Sequence, residues 1–439
     1  MRFYNRETEL TTLLEIQKNS LENAQMTVLI GPRRIGKTKL LFKATEDQPT
    51  LYFFVARKTE KLLCQDFQEE IASVLGIPML GEADSFRKLF AFLMELSKQR
   101  SFNLIIDEFQ EFYNINPSVY SDMQNIWDQN KDKSKINLYL SGSIYSLMHK
   151  IFESYKEPLF GRATNKITLQ PFKVSVLKQI MQENNPGYTA EDLLALYTFT
   201  GGVAKYVELF VDNRALTYSK MVNLMTKENS PFLMEGRNIL IEEFGKDYAT
   251  YFSILAYISS GINSRGEIEG HLQREIGGYL ARLENDFSII TKLRPIFAKP
   301  ETKNVRYVIG DNFLCFWFRF FYKYIRFIES ENYDKLNEII RRDYPTYSGL
   351  ILERYFREKM KESKLFTDIG GYWDRKGLNE IDIIAIDELS HKAVIAEVKR
   401  NRGNISMEKL IAKAETLTLD SKQLRDYEIE YKGLSMEDL

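Results

Sequence analysis

The sequence predicts an α/β chain in which a parallel sheet is followed by helical segments and a second, smaller α/β domain. Three observations lead to this fold class. The apolar run at residues 26–30 precedes a glycine-bearing segment, and a second apolar run at 103–106 ends in two acids. Near the C-terminus, two further apolar runs flank a polar turn. Short apolar runs bounded by polar turns are typical of buried strands.

Residues 31–38 match the pattern G-x-x-x-x-G-K-[ST]. In such a loop, successive backbone N–H groups turn towards phosphates, while Lys37 supplies a cation and Thr38 a hydroxyl for Mg²⁺. The following residues favour a helix whose N-terminus lies behind the phosphates. The loop therefore predicts binding of a nucleoside triphosphate such as ATP, with Mg²⁺. The expected contacts are Gly31, Pro32, Arg33, Arg34, Ile35, Gly36, Lys37, Thr38 and Lys39.

A second expected strand supplies acids for hydrolysis. It ends at Asp107, which is predicted to contact the Mg²⁺ shell, and at Glu108, which is predicted to orient or deprotonate water. A third expected strand, at 136–140, ends in a serine-glycine-serine turn. There, Ser143 is a candidate sensor of the γ-phosphate, or a simple strand-end residue. Lys37 and Glu108 are the predicted catalytic residues of an ATPase.

Composition limits the remaining interpretations. The 439 residues favour two to four domains, and a net charge of −1 excludes a chain-wide field that attracts polyanions. Any DNA contact must therefore come from local patches. The two cysteines and three histidines have no metal-ligand spacing, and the first residues lack an apolar signal segment. These features predict a cytoplasmic protein, and cations within the apolar residues 313–328 predict that it does not cross a membrane.

The pattern of strands and helices predicts four segments. They are an ATPase core at 1–165, a helical lid at 166–235, a winged helix-turn-helix at 236–330 and an α/β domain at 331–439. The aromatic face of residues 313–328 predicts a helix that packs between domains.

The third segment carries the pattern of a winged helix. Three helices are expected near 248–260, 267–273 and 276–287, followed by strands at 296–299 and 305–309. The third helix would enter the major groove of DNA, with Arg274, Tyr279 and Arg282 as contacts, or the segment would serve only for packing.

The last segment carries a second group of acids. Residues 380–385 and 393–399 predict a hairpin, in which strand alternation brings Asp382, Glu397 and Lys399 together. Carboxylates that converge beside a lysine can hold Mg²⁺ and position water for attack on a phosphodiester. The same residues could instead form a surface ion-pair network. We predict Asp382, Glu397 and Lys399 as catalytic residues, and Glu353, Asp382 and Glu397 as metal ligands.

Several motifs resemble those of the archaeal-type AAA+ ATPases: the Asn-Arg-Glu box at 5–7, GPRRIGKT, LIIDEFQ, LSGS and Phe-Gly-Arg at 160–162. The resemblance implies that Asn5, Arg6 and Glu7 lie against adenine and ribose. It implies that Arg162 contacts nucleotide, either across a homo-oligomeric ring or within one chain. The lid motif of the family is similar to residues 201–204, where Ala204 replaces the usual proline.

The D…E-x-K arrangement resembles the restriction-endonuclease-like nucleases, and Glu353 matches an additional acid that such domains often carry. Together, the resemblances imply an ATPase that acts on DNA through a Mg²⁺-dependent, nuclease-like C-terminal domain. The competing hypothesis is an ATP-dependent signalling or scaffold switch, whose C-terminal domains bind protein and leave DNA uncut.

Overall fold

The computed structural model describes residues 1–77, 81, 83–420 and 422–439. The chain divides into two compact units, one of residues 2–170 and one of Met1 with residues 171–439. The first unit ends a few residues beyond the boundary predicted at 165, because a strand of its sheet spans that position.

Residues 2–170 form a five-stranded sheet in the order β2-β3-β4-β1-β5, with every neighbouring pair parallel. The strands are β1 Gln25–Ile30, β2 Thr50–Phe54, β3 Phe102–Asp107, β4 Ile136–Gly142 and β5 Asn165–Thr168. The helices are α1 Glu7–Asn19, α2 Lys37–Ala44, α3 Glu60–Leu75, α4 Phe86–Leu96, α5 Phe112–Ile115, α6 Ser118–Asn130 and α7 Tyr145–Glu153. The predicted parallel sheet is therefore confirmed.

The central strands β3 and β4 are buried along their whole length. Separate apolar clusters cover the two faces of the sheet: Leu104 and Ile106 contribute to one, and Ile105 to the other. Burial on both faces explains why these strands appear in the sequence as nearly continuous apolar runs.

The second unit begins with helices and contains a long helix near its middle. Its helices are α8 Val174–Asn184, α9 Ala190–Thr200, α10 Ala204–Asp212, α11 Tyr218–Thr226, α12 Phe232–Phe244, α13 Tyr248–Ser259, α14 Arg265–Leu272, α15 Gly277–Asn285, α16 Asn312–Phe316, α17 Ile325–Glu329, α18 Tyr333–Ser363 and α19 Met407–Asp420. No helix in the described part of the chain is long and apolar enough to cross a membrane.

Three helices, α13 to α15, precede a two-stranded antiparallel sheet of β6 Ile290–Leu293 and β7 Arg306–Ile309. The three helices and the second strand lie close to their predicted positions. The strand expected at 296–299 is wrong, because the pairing strand is β6. Pro295 has no N–H for a ladder, and the N–H of Ile296 donates instead to the carbonyl of Gly371, 2.8 Å away.

The C-terminal sheet has the order β11-β10-β9-β8. Its strands are β8 Asp368–Trp373, β9 Glu380–Asp387, β10 Lys392–Val398 and β11 Glu428–Leu434. β9 pairs antiparallel with β8 and β10, whereas β11 pairs parallel with β10. The predicted hairpin of β9 and β10 is confirmed, and α19 packs its buried Leu410, Ala414 and Leu417 against this sheet.

The aromatic segment after β7 is a packing element, as predicted, but it is not one continuous α-helix. A π-helical stretch, Trp317–Tyr322, separates α16 from α17. The indole of Trp317 is buried, and its Nε1 donates to the carbonyl of Leu233 at 2.9 Å. A Cβ added to Gly236 of α12 would lie 2.3 Å from ring carbon Cδ2 of Trp317. The absence of a side chain at Gly236 therefore makes room for the indole.

This close contact predicts opposite effects for two glycine-to-alanine substitutions in helices. Gly236→Ala should lower the thermal unfolding midpoint, because overpacking beside Trp317 costs about 1–3 kcal/mol. Gly270→Ala in α14 adds a Cβ that meets nothing within 4 Å and should be neutral or stabilising by up to about 1 kcal/mol. Thermal unfolding followed by tryptophan fluorescence measures both. Equal midpoints for the two variants would contradict this account of the packing.

Candidate functional site

The loop between β1 and α2 folds around the amino group of Lys37. Arg34 and Gly36 have φ angles of 65° and 96°, which turn the backbone inward before the helix begins. Lys37 is buried, and its Nζ donates to the carbonyls of Gly31 at 2.8 Å and Pro32 at 3.0 Å. Burial lowers the pKa of Lys37 to about 8, although the nearby acids Glu108 and Asp107 oppose this shift. The loop thus holds a cation against its own backbone carbonyls.

Thr38 and Asp107 meet at the carboxyl ends of β1 and β3. The Thr38 hydroxyl donates to Oδ2 of Asp107 at 2.8 Å, and the Tyr52 hydroxyl donates to the same oxygen at 3.0 Å. A hydroxyl oxygen beside a carboxylate is the hard, oxygen-only donor set that Mg²⁺ prefers. These residues therefore fit a magnesium ion held together with phosphate oxygens.

Glu108 follows Asp107 with a left-handed backbone, φ 53°. Its Oε2 accepts hydrogen bonds from Nε2 of Gln110 and from the hydroxyl of Ser143, the latter at 2.7 Å. Strained backbone at such a position often accompanies function. The two donors hold the carboxylate in one orientation, so that its other oxygen can accept a proton from water. Ser143 thus contacts the predicted base.

The remaining predicted nucleotide contacts lie around the same unit. Arg6 is buried, and its guanidinium donates to the carbonyl of Gln170 at 2.8 Å and pairs with Glu9 at 3.2 Å. Asn5 has a left-handed backbone, and Glu7 opens helix α1. The box residues therefore form the turn that starts this helix, and their contacts with adenine and ribose stay predictions.

Within the loop, Ile35 is buried in the core on one face of the sheet, where it anchors the loop. Arg33, Arg34 and Lys39 lie in the loop and the first turn of α2. The guanidinium of Arg162 pairs with Asp128 at 3.0 Å. Its role towards nucleotide stays a prediction.

The C-terminal acids meet across β9 and β10. Oδ2 of Asp382 accepts the backbone N–H of Val398 at 2.8 Å, and Nζ of Lys399 lies 3.2 Å from the same oxygen. Nζ of Lys399 also lies 3.5 Å from Oε1 of Glu397. Burial opposes the charge on this amino group, but the two carboxylates raise the pKa of Lys399 above its usual value. The three predicted catalytic side chains are thus brought together.

One carboxylate oxygen of Glu397 is available to bind a metal ion. Its Oε2 is buried and, within the described part of the chain, has no hydrogen-bond partner. Among the described residues, no group of three or more His, Cys, Asp or Glu side chains is arranged to hold a metal ion. Mg²⁺, however, usually takes only one or two protein carboxylates and keeps several waters. Asp382 and Glu397 fit that smaller requirement.

Glu353 faces this site from helix α18. Burial, followed by the negative charge of Asp382, raises the pKa of Glu353 to about 7. Arg357, one helical turn later, lies 3.7 Å from Glu353 and donates to the carbonyl of Asp382. Glu353 is therefore near the predicted site. Because its raised pKa favours the neutral carboxyl group, Glu353 is a poorer metal ligand than an ordinary carboxylate.

Three residues at these sites were missing from the sequence-based predictions: Tyr52, Gln110 and Arg357. Tyr52 lies on β2, beside β3, so its contact with Asp107 depends on a strand order that the sequence does not reveal. Gln110 lies two residues after Glu108, in a short 3₁₀ turn. Arg357 carries a weak signal, because it follows Glu353 by four residues in a helix.

Comparisons with known proteins place this geometry in context. Residues 3–210 match a family model described as an ATPase domain predominantly from Archaea. Residues 317–411 match a second model, of archaeal and bacterial proteins of unknown function. The Methanocaldococcus jannaschii protein MJECL04, itself uncharacterised, is 30% identical over 406 residues, which cover 90% of this chain and 87% of that protein.

Solved structures show a similar fold. The Walker-type ATPase PABY2304 of Pyrococcus abyssi has a TM-score of 0.55 and 21% identity, and the match covers 72% of this chain and 96% of that one. The Aeropyrum pernix ORC2 protein, solved as ADPNP–ADP complexes, has a TM-score of 0.48 and 13% identity, with coverage of 78% and 96%.

The buried amino group of Lys37 predicts a specific loss of nucleotide affinity in Lys37→Met. Removing a charge-assisted contact to phosphate should weaken ATP binding about 10- to 100-fold. Lys43→Met is the matched control, because Lys43 lies in the same helix but is exposed and pairs with Glu46. Titration with a fluorescent ATP analogue measures both. Equal affinities in the two variants would remove Lys37 from the binding site.

The orientation of Glu108 predicts a separation of binding from turnover. Glu108→Gln keeps an oxygen that can accept from Ser143 but loses the proton-accepting carboxylate. ATP affinity should therefore be retained, while kcat falls about 100-fold or more. Phosphate release and nucleotide titration measure the two quantities. Unchanged turnover would assign the base to another residue.

Proposed function

We propose that this chain uses ATP to control a Mg²⁺-dependent nuclease-like domain that acts on DNA. The chain belongs to the family of its Methanocaldococcus jannaschii relative and is an ATPase. The observation that supports this proposal most directly is that Asp382, Glu397 and Lys399 come together where the start of β9 lies beside the end of β10. The chain acts on ATP through Lys37, Thr38, Asp107 and Glu108.

The C-terminal site has the chemistry that phosphodiester hydrolysis requires. In that reaction the oxygen of a water molecule attacks phosphorus, and the bond from phosphorus to one bridging oxygen breaks. Bound Mg²⁺ would supply the Lewis acid that stabilises charge on the phosphate. Asp382 and Glu397 would hold it, and Nζ of Lys399, which lies 3.2 Å from Asp382 and 3.5 Å from Glu397, would orient the attacking water.

The three helices and hairpin at residues 248–309 support DNA as the target. We propose that they form a winged helix whose α15 faces the major groove. Arg282 is exposed on α15. Nη2 of Arg274 donates to the hydroxyl of Tyr279 at 3.1 Å, so these two predicted contacts form one surface pair. Because the net charge of the chain is −1, binding would depend on such local cations.

A hydrogen-bond network links the helical segment after residue 170 to the nuclease-like site. Arg400 directly follows Lys399, and its guanidinium donates to Ser348 of α18 at 2.6 Å and pairs with Glu191 of α9. A movement of α9 would therefore act on the end of β10. This link supports our proposal that nucleotide state, acting through the predicted lid, changes access to or alignment of the C-terminal site.

The alternative is an ATP-dependent signalling or scaffold switch whose C-terminal domains bind protein. The near-neutral charge of the chain favours it. The unpartnered buried oxygen of Glu397 opposes it, since a purely structural ion-pair network would satisfy that atom. A cytoplasmic location and a homo-oligomer with Arg162 acting between chains remain predictions in either case.

The nuclease proposal is tested by Mg²⁺-dependent cleavage of plasmid and single-stranded DNA, with and without ATP. Asp382→Asn should reduce cleavage about 100-fold or more while leaving ATP turnover unchanged, because the substitution removes a metal-binding charge. Glu388→Gln is the control, because Glu388 is exposed in the turn at the opposite end of β9. It should cleave like the unaltered protein.

The outcomes separate the two functions. Cleavage that is lost in Asp382→Asn and kept in Glu388→Gln supports the nuclease. Absence of cleavage under every condition, with ATP hydrolysis intact, would favour the switch. Cleavage that survives in Asp382→Asn would place the chemistry elsewhere or indicate a contaminating nuclease.

A further inference from the structure

The loop between β8 and β9 is closed by its own hydrogen bonds and directly precedes the strand that carries Asp382. The carboxylate of Asp374 accepts backbone N–H groups from Lys376 and Leu378, both at 2.9 Å, and from Asn379 at 3.1 Å. The N–H of Asp374 also donates to the carbonyl of Asn379 at 3.0 Å. These bonds close the loop at its base.

The tip of this loop exposes two cations and a large apolar side chain. Leu378 is 80% exposed, and Arg375 and Lys376 are exposed beside it. In the described part of the chain, neither cation pairs with an acid at salt-bridge distance. A single exposed leucine is common on protein surfaces, so the two unpaired cations are the feature that points to a partner. The combination of an apolar tip and unpaired cations fits a partner with phosphates and stacked apolar groups.

A second loop is fixed beside the first. Asn304, in the connection between β6 and β7, exchanges hydrogen bonds with Trp373: its Nδ2 donates to the carbonyl, and the indole Nε1 donates to its Oδ1, each at 3.1 Å. Arg306 lies over the Trp373 ring at 4.6 Å and pairs with Glu380 at 2.6 Å. The connection carries two further exposed cations, Lys299 and Lys303.

The docking of the second loop extends into the core of the C-terminal domain. Ile296 is buried among Ile381, Ile384 and other residues of that core. Its N–H donates to the carbonyl of Gly371 on β8. The connection between β6 and β7 is therefore packed as part of the C-terminal domain, and the two loops form one surface.

We propose that these two loops, residues 294–305 and 374–379, form a binding edge for duplex DNA that positions the strand to be cut. Lys299, Lys303, Arg375 and Lys376 would contact backbone phosphates, and Leu378 would insert into the minor groove against base edges. This inference rests on the proposed nuclease function and names the substrate form that the site accepts.

The distances along the chain agree with this arrangement. Leu378 lies four residues before Asp382, a span of at most about 13 Å of extended chain. Duplex DNA carries one charge per about 1.7 Å of axis, so one groove edge offers several phosphates over that length. A protein partner is a weaker fit, since a stable protein interface buries about 800 Å² on each side and has an apolar centre. A single leucine among cations does not provide such an apolar centre.

The test uses the full chain with fluorescence anisotropy of a labelled duplex, across a range of salt concentrations. The double variant Arg375→Ala/Lys376→Ala should bind duplex about tenfold more weakly, with the slope of log affinity against log salt reduced by about 1.8, because two phosphate contacts are lost. Leu378→Ser should weaken binding about fivefold and leave the salt slope unchanged, since it removes an apolar contact.

Matched controls lie at the opposite end of β9. Leu389 is 90% exposed in the turn between β9 and β10, and Lys392 begins β10. Leu389→Ser and Lys392→Ala should bind duplex like the unaltered protein. Thermal midpoints verify that each variant is folded. ATP turnover should be the same in all of them, because neither loop belongs to the unit of residues 2–170 that carries the phosphate loop.

Two failures are distinguishable. If the unaltered protein binds and cleaves duplex while the loop variants match their controls, the loop proposal is overturned and the nuclease function stands. If the unaltered protein hydrolyses ATP but neither binds nor cleaves duplex, the proposed function is overturned, and this inference with it. The binding edge is supported if both loop variants bind duplex more weakly, and if the salt slope falls in Arg375→Ala/Lys376→Ala but not in Leu378→Ser.

Discussion

The parallel register of three strands determines where the chemistry of the ATPase unit lies. Ile30 at the end of β1 is paired with Gly142 of β4, and Ile106 of β3 is paired with Leu140 of the same strand. The residues that follow these strands must therefore emerge at one edge of the sheet. The phosphate loop, Asp107 with Glu108, and Ser143 lie there together for that reason alone. A shift by one residue would turn their side chains to the opposite face.

Strand pairing also explains why the acids of the C-terminal domain lie together, although there the two strands are antiparallel. In the antiparallel pair of β9 and β10, Ile383 is paired with Ala396, so Asp382 and Glu397 are cross-strand neighbours. Two like charges at that spacing would repel each other. The amino group of Lys399 and the N–H of Val398 offset the repulsion. The site is thus held together as an ion-pair network, and one buried oxygen of Glu397 has no hydrogen-bond partner among the described residues.

Local patterns in the sequence were sufficient to predict the parts of this fold in which strand and motif coincide. The phosphate loop, the acids after β3 and the β9–β10 hairpin each depend on residues that are neighbours in sequence or paired across a short turn. The position of β6 could not be predicted in the same way. Residues 296–299 are as apolar as a strand, but Ile296 is apolar because it fills the core of the C-terminal domain. Burial in a partner domain and burial in a sheet give the same sequence signal, and only the tertiary structure separates them.

The helical segment at 171–235 is joined to the C-terminal domain. It belongs to the same compact unit as Asp382, Glu397 and Lys399. Glu362 of α18 accepts the N–H of Val174 at 2.7 Å, and Arg400 pairs with Glu191. A rigid displacement of this segment would therefore displace α18 and the end of β10 as well, without first breaking an interface between them. Because α18 also carries Glu353, two sides of the acid cluster would move together. Since the β9–β10 ladder fixes the spacing of Asp382 and Glu397, such a displacement would change the surroundings of these two acids more than the distance between them.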